Sequence, residues 1–269
     1  MSQDEPYRVP AVVSAIRALE VLEGLNGTGA SLSEIARRID RSKSTVFNLL
    51  TTLESEGFLY RDPVSLWFHL GPRLIPLGAA AAREARPLAA AVAAARNLSA
   101  ETGMSVAIVQ ALAEGTAQAV ERATPPRGVH VGITVGDRYG IFDGAVGKAL
   151  LAGMRAGDAE EAIRNGTPYR HTERTITDVD DLIEEITVVR RRGWASSVAE
   201  LNENHAVSAP VFGPSGETLL ILVVMAFPSQ LPESQIPALG ERLRRVADAV
   251  TVECGGTPRH AARVPATTG

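Results

Sequence analysis

Two short stretches of this 269-residue chain carry side chains whose types and spacing could do chemistry. The first is Arg41-Ser42-Lys43-Ser44-Thr45, followed by Phe47, Asn48 and Thr51. If it is helical, Val46, Leu49, Leu50 and Leu53 form one apolar stripe, and the hydroxyl, amide and aromatic groups occupy the free face. Short polar side chains at the start of a helix suit the major groove of duplex DNA, where they meet base edges. Lys43 and Arg41 would anchor phosphates, while Asn48 could pair with adenine N6 and N7 or hold a phosphate. Phe47 needs a thymine methyl or a protein neighbour. The second stretch, Gly144-Ala145-Val146-Gly147, opens a helix with small residues. That leaves backbone N–H groups accessible at the positive end of the helix dipole, where a carboxylate can sit. The same small residues would equally let the helix pack closely on a sheet. A nucleotide phosphate is disfavoured, because Gly147-Lys148-Ala149 lacks the Ser or Thr and the upstream glycine of a P-loop.

Catalytic apparatus is missing. His69, His130, His171, His205 and His260 are scattered, Cys254 is the single cysteine, and there is neither a metal-ligand cluster nor a nucleophile elbow. No cofactor and no metal are expected. His205 could hydrogen-bond an effector and His171 with Glu173 could hold a metal, but an exposed loop histidine is the expectation for both. Two other classes compete: a metabolic enzyme, or a pure oligomerisation module, fused to a DNA-binding domain. Charge restrains the DNA reading, since 27 Lys and Arg stand against 31 Asp and Glu. The chain is no general polyanion binder, and the local excess lies in Arg37, Arg38, Arg41 and Lys43 against Glu34 and Asp40. Affinity must then come from a few placed contacts. A dimer that sets two such helices on half-sites ~34 Å apart supplies them.

The elements that would position these groups are legible. In Ser31-Leu32-Ser33-Glu34 the Ser31 hydroxyl accepts from the Glu34 amide while the Glu34 carboxylate reaches back, a capping box. Leu32, Ile35, Ala36 and Ile39 continue that helix; Ser42 caps the next, and Gly57 terminates it. Phe58 to Arg61 and Trp67 to Leu70 form a hairpin whose tip can lie along the DNA backbone, with Arg61 as its phosphate contact. Helix, turn, helix and wing in that order predict a winged helix-turn-helix over 11–71, after a disordered 1–10. A linker helix follows over 72–86, and a domain over 87–253 begins with an alanine-rich helix from Leu88 to Thr102. The two alanine-rich helices are candidates for a dimer contact or plain core supports. Strands are predicted at Ser105–Leu112, Ala117–Ala123 (after a Glu114-Gly115 turn), Val129–Val135, Trp194–Ala199, Ala206–Phe212 and Thr218–Phe227. Helices are predicted at Val146–Met154, Asp158–Asn165, Asp178–Arg192 and Ser234–Val252. The fold class is α+β: a six-stranded antiparallel sheet with helices on one side and a ligand cleft on the other, then a disordered tail over 254–269. The start lacks signal-peptide character and no run spans a membrane, since Leu219 to Phe227 fits a buried strand. A lone cysteine fits a reducing cytoplasm.

Four ordered segments resemble the IclR family of transcriptional regulators. They are Ser31 to Ala36 with Ser42 to Gly57; His69-Leu70-Gly71-Pro72-Arg73-Leu74; Gly144-Ala145-Val146-Gly147-Lys148-Ala149; and Arg192-Gly193-Trp194-Ala195 with Val207 to Phe212. The resemblance implies a winged-helix domain on double-stranded operator DNA, a GAF-like domain binding a small organic effector, and a homodimer, often paired into a homotetramer. A repressor is the expectation ahead of an activator, although the sequence does not say whether transcription falls or rises. Carried over position by position, the effector pocket involves Tyr139, Ala145, Val146, Ser197, Asn204, Ala206, Val223 and Met225. Members that bind small carboxylates tend to carry an acid near Ser197 and serines where Val223 and Met225 stand. The more apolar lining implies a larger or aromatic acid. Asn48 replaces a frequent arginine in the recognition helix, which implies a different operator.

Overall fold

The computed structural model describes residues 9–25, 27–84, 86–112, 115–125, 127 and 129–259. The expectations for 1–8, Glu114 and 260–269 lie outside them. The chain divides into two units, Met1–Glu84 and Ala85–Gly269.

The first unit runs α1 (Pro10–Glu23), α2 (Leu32–Arg38), α3 (Lys43–Ser55), β1 (Leu59–Arg61), β2 (Phe68–Leu70) and α4 (Leu74–Glu84). Its core is Ala18 and Leu22 of α1, Ile35 and Ala36 of α2, Val46 and Leu50 of α3, and Leu59 and Phe68 of the hairpin. Helix α1 had no prediction of its own. Ser31 accepts from the Glu34 N–H at 3.2 Å, but the reciprocal half of the expected capping box is absent, because the Glu34 carboxylate takes Arg38 at 2.7 Å. An i, i+4 ion pair one turn ahead outcompetes the bond back to the cap. Ser31→Ala is therefore expected to cost about 1 kcal/mol of unit stability, and Glu34→Ala only a few tenths. Urea melts of the two variants check this; equal losses would mean the box forms in solution.

Asp40, at φ +53°, turns the chain from α2 into α3, a conformation that Asp tolerates better than most residues. At the far end Gly57 has φ +75°, and the Phe58 N–H reaches back to Leu53 O at 2.8 Å, which is a Schellman termination. The wing pairs Leu59 with Leu70, Tyr60 with His69 and Arg61 with Phe68, and Ala30 adds an isolated antiparallel bridge to Phe68. Asp62 holds the tip: its Oδ1 accepts from the Val64 N–H, the Ser65 N–H and Ser65 Oγ. The Ser65 bonds pull its carboxyl below the usual range.

The second unit runs α5 (Arg86–Thr102), β3 (Ser105–Ala111), β4 (Ala117–Ala123), β5 (Arg138–Tyr139), α6 (Gly144–Gly153), α7 (Ala156–Asn165) and α8 (Val179–Arg192). It continues with β6 (Ala195–Val198), β7 (His205–Phe212), β8 (Thr218–Ala226), a 3-10 turn at Glu233–Gln235 and α9 (Ile236–Glu253). The strands form a six-stranded sheet in the order β5-β4-β3-β8-β7-β6, with every neighbouring pair antiparallel. Alternation along the strands divides the side chains between two cores. Val106, Ile108, Val207, Ala209, Val211, Leu222 and Val224 pack with Leu98 of α5 and Leu239 and Leu243 of α9. Ala107, Val109, Ile221 and Val223 pack with Val146, Ala149 and Leu150 of α6.

Three expectations need correction. Helices cover both faces of the sheet, α5 and α9 on one and α6 on the other, because the central strands are apolar on both sides and each face needs a cover. The third strand is not Val129–Val135 but Arg138–Tyr139. Val131 and Ile133 are buried, yet their carbonyls are taken by side chains, Ser105 Oγ at 2.9 Å and Arg122 at 2.6 Å, instead of a ladder. Residues Cys254–Arg259, expected in a disordered tail, lie against the unit: the Gly256 N–H bonds Thr251 O, and Arg259 sits over Phe212 and donates to Gly153 O.

Helix α6 is fixed at its end as well as along its length. Arg190 of α8 donates to the carbonyls of Leu151, Ala152 and Met154, satisfying acceptors that the helix terminus leaves open. Gly153 admits no side chain, since a Cβ there would collide with Thr218 Oγ1.

Candidate nucleic-acid interface and effector cavity

On α3 the apolar stripe faces the core, so Ser44, Asn48 and Thr51 point away from it, with Phe47 and Thr45 on the flanks. Arg41, Ser42, Lys43, Ser44, Thr45, Asn48 and Thr51 are all exposed, and Phe47 is 47% exposed with no core to serve. Ser42 is the N-cap: it accepts from the Thr45 N–H at 3.2 Å, and its hydroxyl lies 2.8 Å from Thr45 Oγ1 and 3.1 Å from Ser44 Oγ. Two contacts among three hydroxyls leave donor and acceptor positions free for a base. Arg41 donates to Asp40 O. Arg61 donates from Nε to Leu66 O at 3.0 Å and lies over Phe68, so it braces the wing while its remaining donors face solvent. Basic and acidic residues are equal in number from 9 to 84. This surface works by placement and not by field.

The eight residues expected at the effector site lie around one cavity. Tyr139, Ala145, Val146, Ser197, Asn204, Ala206, Val223 and Met225 line it together with Leu201 and Asn202, which fall inside the segment expected from Ser197 through Asn204 to Ala206, and with Asp143, which sequence reasoning missed. Its free volume is about 20 Å³, room for roughly one water molecule. Val223 and Met225 come from β8, Ala206 from β7 and Ser197 from β6. Ala145 and Val146 open α6, held to the sheet by Ser208 Oγ donating to Ala145 O at 2.6 Å. Gly144 has φ +52° and packs on Ser197 and Leu201, so a side chain there would meet both strain and contact.

Gly147 N–H bonds Asp143 O and Gly144 N–H bonds Phe142 O. The intervening N–H groups of Ala145 and Val146 have no acceptor among the described residues, although both residues are at most 4% exposed. Buried donors without acceptors are uncommon and call for one. Tyr139 adds a further donor. Burial, then Asp137 and Asp143, push its phenol up to about 12, so it stays protonated at neutral pH. Asp143 was legible as an acid ahead of a glycine-led helix, yet it does not cap by its side chain. Its Oδ2 accepts from the Gly140 N–H at 2.7 Å and its Oδ1 lies 3.2 Å from His171 Nε2. Leu201 and Asn202 sit in an irregular loop without a periodic signal.

The histidine expectations divide. His171 faces Asp143 on a loop and does not face Glu173. His205 is not an exposed loop residue: it is buried at the start of β7, where its Nδ1 meets Leu231 O at 2.8 Å. Among the described residues no group of three His, Cys, Asp or Glu could hold a metal, and no helix is long and apolar enough to cross a membrane.

Comparison with known proteins agrees with both units. The C-terminal model of the bacterial transcriptional regulator IclR matches residues 82–252, and the IclR helix-turn-helix model matches residues 14–63. The transcriptional regulator BhcR of Paracoccus denitrificans is 28% identical over 233 residues, 86% of this chain and 83% of that protein. The crystal structure of a transcriptional regulator from Alicyclobacillus acidocaldarius is 31% identical, covers 93% of this chain and 100% of its own, and superposes with a TM-score of 0.85. An IclR homologue from Microbacterium hydrocarbonoxydans, solved in complex with 4-hydroxybenzoate, is 19% identical, covers 91% and 98% of the two chains, and shares the fold at a TM-score of 0.75. The chain belongs to the IclR family of transcriptional regulators, and its first unit is that family's DNA-binding helix-turn-helix domain.

Proposed function

We propose that the chain is an effector-responsive repressor whose ligand is a small aromatic carboxylic acid. The observation that carries this is the pair of buried, acceptor-less N–H groups at Ala145 and Val146 in a cavity walled by Val223 and Met225. A carboxylate there accepts both bonds at the positive end of α6, while the ring fills the apolar end and Tyr139 offers a donor to a further oxygen. The homologue bound to 4-hydroxybenzoate supports the ligand class. With room for one water, the cavity must widen to admit a ring, and that movement is what can bias DNA binding. The ligand has to favour one arrangement of the two units for the coupling to exist. Two copies, or two pairs of copies, would present α3 to operator half-sites ~34 Å apart. Repression needs nothing beyond occupancy of a promoter.

A thermal-shift panel of benzoate, 4-hydroxybenzoate, 4-hydroxybenzamide, glyoxylate and pyruvate tests the ligand class. A ligand at a hundred times its Kd adds about 2.7 kcal/mol, or about 5–10 °C for a unit of this size. The aromatic acids are expected to shift the melt, and the amide and the small acids to shift it little; a response led by the small acids would overturn the assignment. Asp143 supplies a check on sign. Its carboxylate lines the cavity beside the site of a bound anion, so Asp143→Asn is expected to tighten 4-hydroxybenzoate roughly threefold to tenfold, the effect of one partly screened like charge. Calorimetry of the variant decides, and weaker binding would contradict an anion at this end.

A further inference from the structure

Lys148 is the buried charge that neither the DNA surface nor the effector donors use. It is 5% exposed, and a buried ammonium requires a partner. Its Nζ donates to Glu200 Oε1 at 2.7 Å and to Ser196 O at 2.9 Å. Glu200 belongs to the loop 199–204, whose Leu201, Asn202 and Asn204 line the effector cavity. The base of that loop is held from a second side: Thr172 Oγ1 donates to Ala199 O at 2.7 Å, and Thr175 Oγ1 to Glu200 O at 2.6 Å. Both threonines sit in the turn that presents His171 to Asp143. The contacts thus run from the start of α6 through His171 and the threonines to the loop base, and return through Glu200 and Lys148 to α6. Ala199 has φ +55°, a strained conformation that persists only where its surroundings fix it. Past the base the restraint ends. Among the described residues, Leu201, Asn202 and Glu203 make no hydrogen bond outside the loop; Asn202 Oδ1 accepts from the Asn204 N–H within it.

Building on the effector reading above, we infer that Lys148 and Glu200 are positioning residues of the effector site. The ion pair fixes the base of the loop against α6, so that the tip, residues 201–203, is the part that lifts to admit a ligand. The ligand is then held between the N–H groups of α6 and a tip that returns to one place. Lys148 touches no ligand; it sets where Leu201 and Asn202 close.

The double variant Lys148→Met/Glu200→Gln tests this, because removing both charges leaves neither stranded and the fold is expected to persist. The expected results are melting close to wild type, amide exchange at residues 200–205 at least tenfold faster with α9 unchanged, and about tenfold weaker binding of 4-hydroxybenzoate by calorimetry. Operator affinity without ligand should not change. Wild-type exchange and affinity in the double variant would overturn the assignment, and so would faster exchange spread evenly through the unit. If the double variant does not fold, Glu200→Asp decides: both charges remain, the arm is one methylene shorter, and unchanged affinity would again overturn it. If wild-type protein gives no heat with 4-hydroxybenzoate, the aromatic-acid reading fails and the exchange result alone decides the role of the pair.

Discussion

Ser44→Asp is expected to lower operator affinity at least a hundredfold while leaving the melting temperature unchanged or slightly raised. The two effects separate because they act on different partners. Ser44 is the second residue of α3, exposed and facing away from the core. A carboxylate in that turn is favourable to the helix dipole by about 0.3–1 kcal/mol. The Ser42 cap and the Val46 and Leu50 packing are untouched. On DNA the same carboxylate meets phosphates and base acceptors, and the local surplus of Arg37, Arg38, Arg41 and Lys43 over Glu34 and Asp40 is too small to offset it. Electrophoretic mobility shift and calorimetric melting of one preparation read both sides. If the variant melted as wild type and bound DNA as wild type, α3 would not be the reading element.

At the other site, Ala145→Pro should weaken 4-hydroxybenzoate between about tenfold and a hundredfold, the ~1.5–3 kcal/mol carried by a hydrogen bond to a charged group. Proline removes the N–H while keeping the carbonyl that Ser208 uses, and the first turn of a helix accepts it because that N–H has no helical partner. Binding of the neutral 4-hydroxybenzamide should fall far less. Equal losses for acid and amide would mean that the ring of proline had only filled the cavity. Loss of melting stability beyond about 1 kcal/mol would mean that the Ala145 N–H serves the fold.

Much of this was legible because the relevant signals are local. Ser31, Ser42 and Gly57 announce helix ends through side-chain caps and a left-handed terminator, and the structure uses all three. The stripe of Val46, Leu50 and Leu53 fixed which face of α3 is free. What failed depended on distant partners. Glu34 had two possible partners within a turn, and only geometry chooses Arg38. Val131 and Ile133 alternate as a strand does, but their carbonyls are claimed by Ser105 and Arg122 from elsewhere in the unit. His205 read as a loop residue because the carbonyl that holds its ring, Leu231 O, lies 26 positions along the chain. In the cavity, the residues carried over by resemblance gather around one space. Asp143 escaped because an acid ahead of a glycine-led helix reads as a cap and not as a cavity wall, and the Lys148–Glu200 pair because its members are 52 positions apart.

The most direct measurement is a footprint of the purified chain on the DNA flanking its own coding region, with and without 4-hydroxybenzoate. The expected pattern is two protected half-sites about one helical turn apart. Protection should weaken as the acid is added, and it should vanish for Ser44→Asp at every concentration. No protection, a single isolated half-site, or protection unchanged at saturating aromatic acid would contradict an effector-responsive regulator that reads DNA through α3.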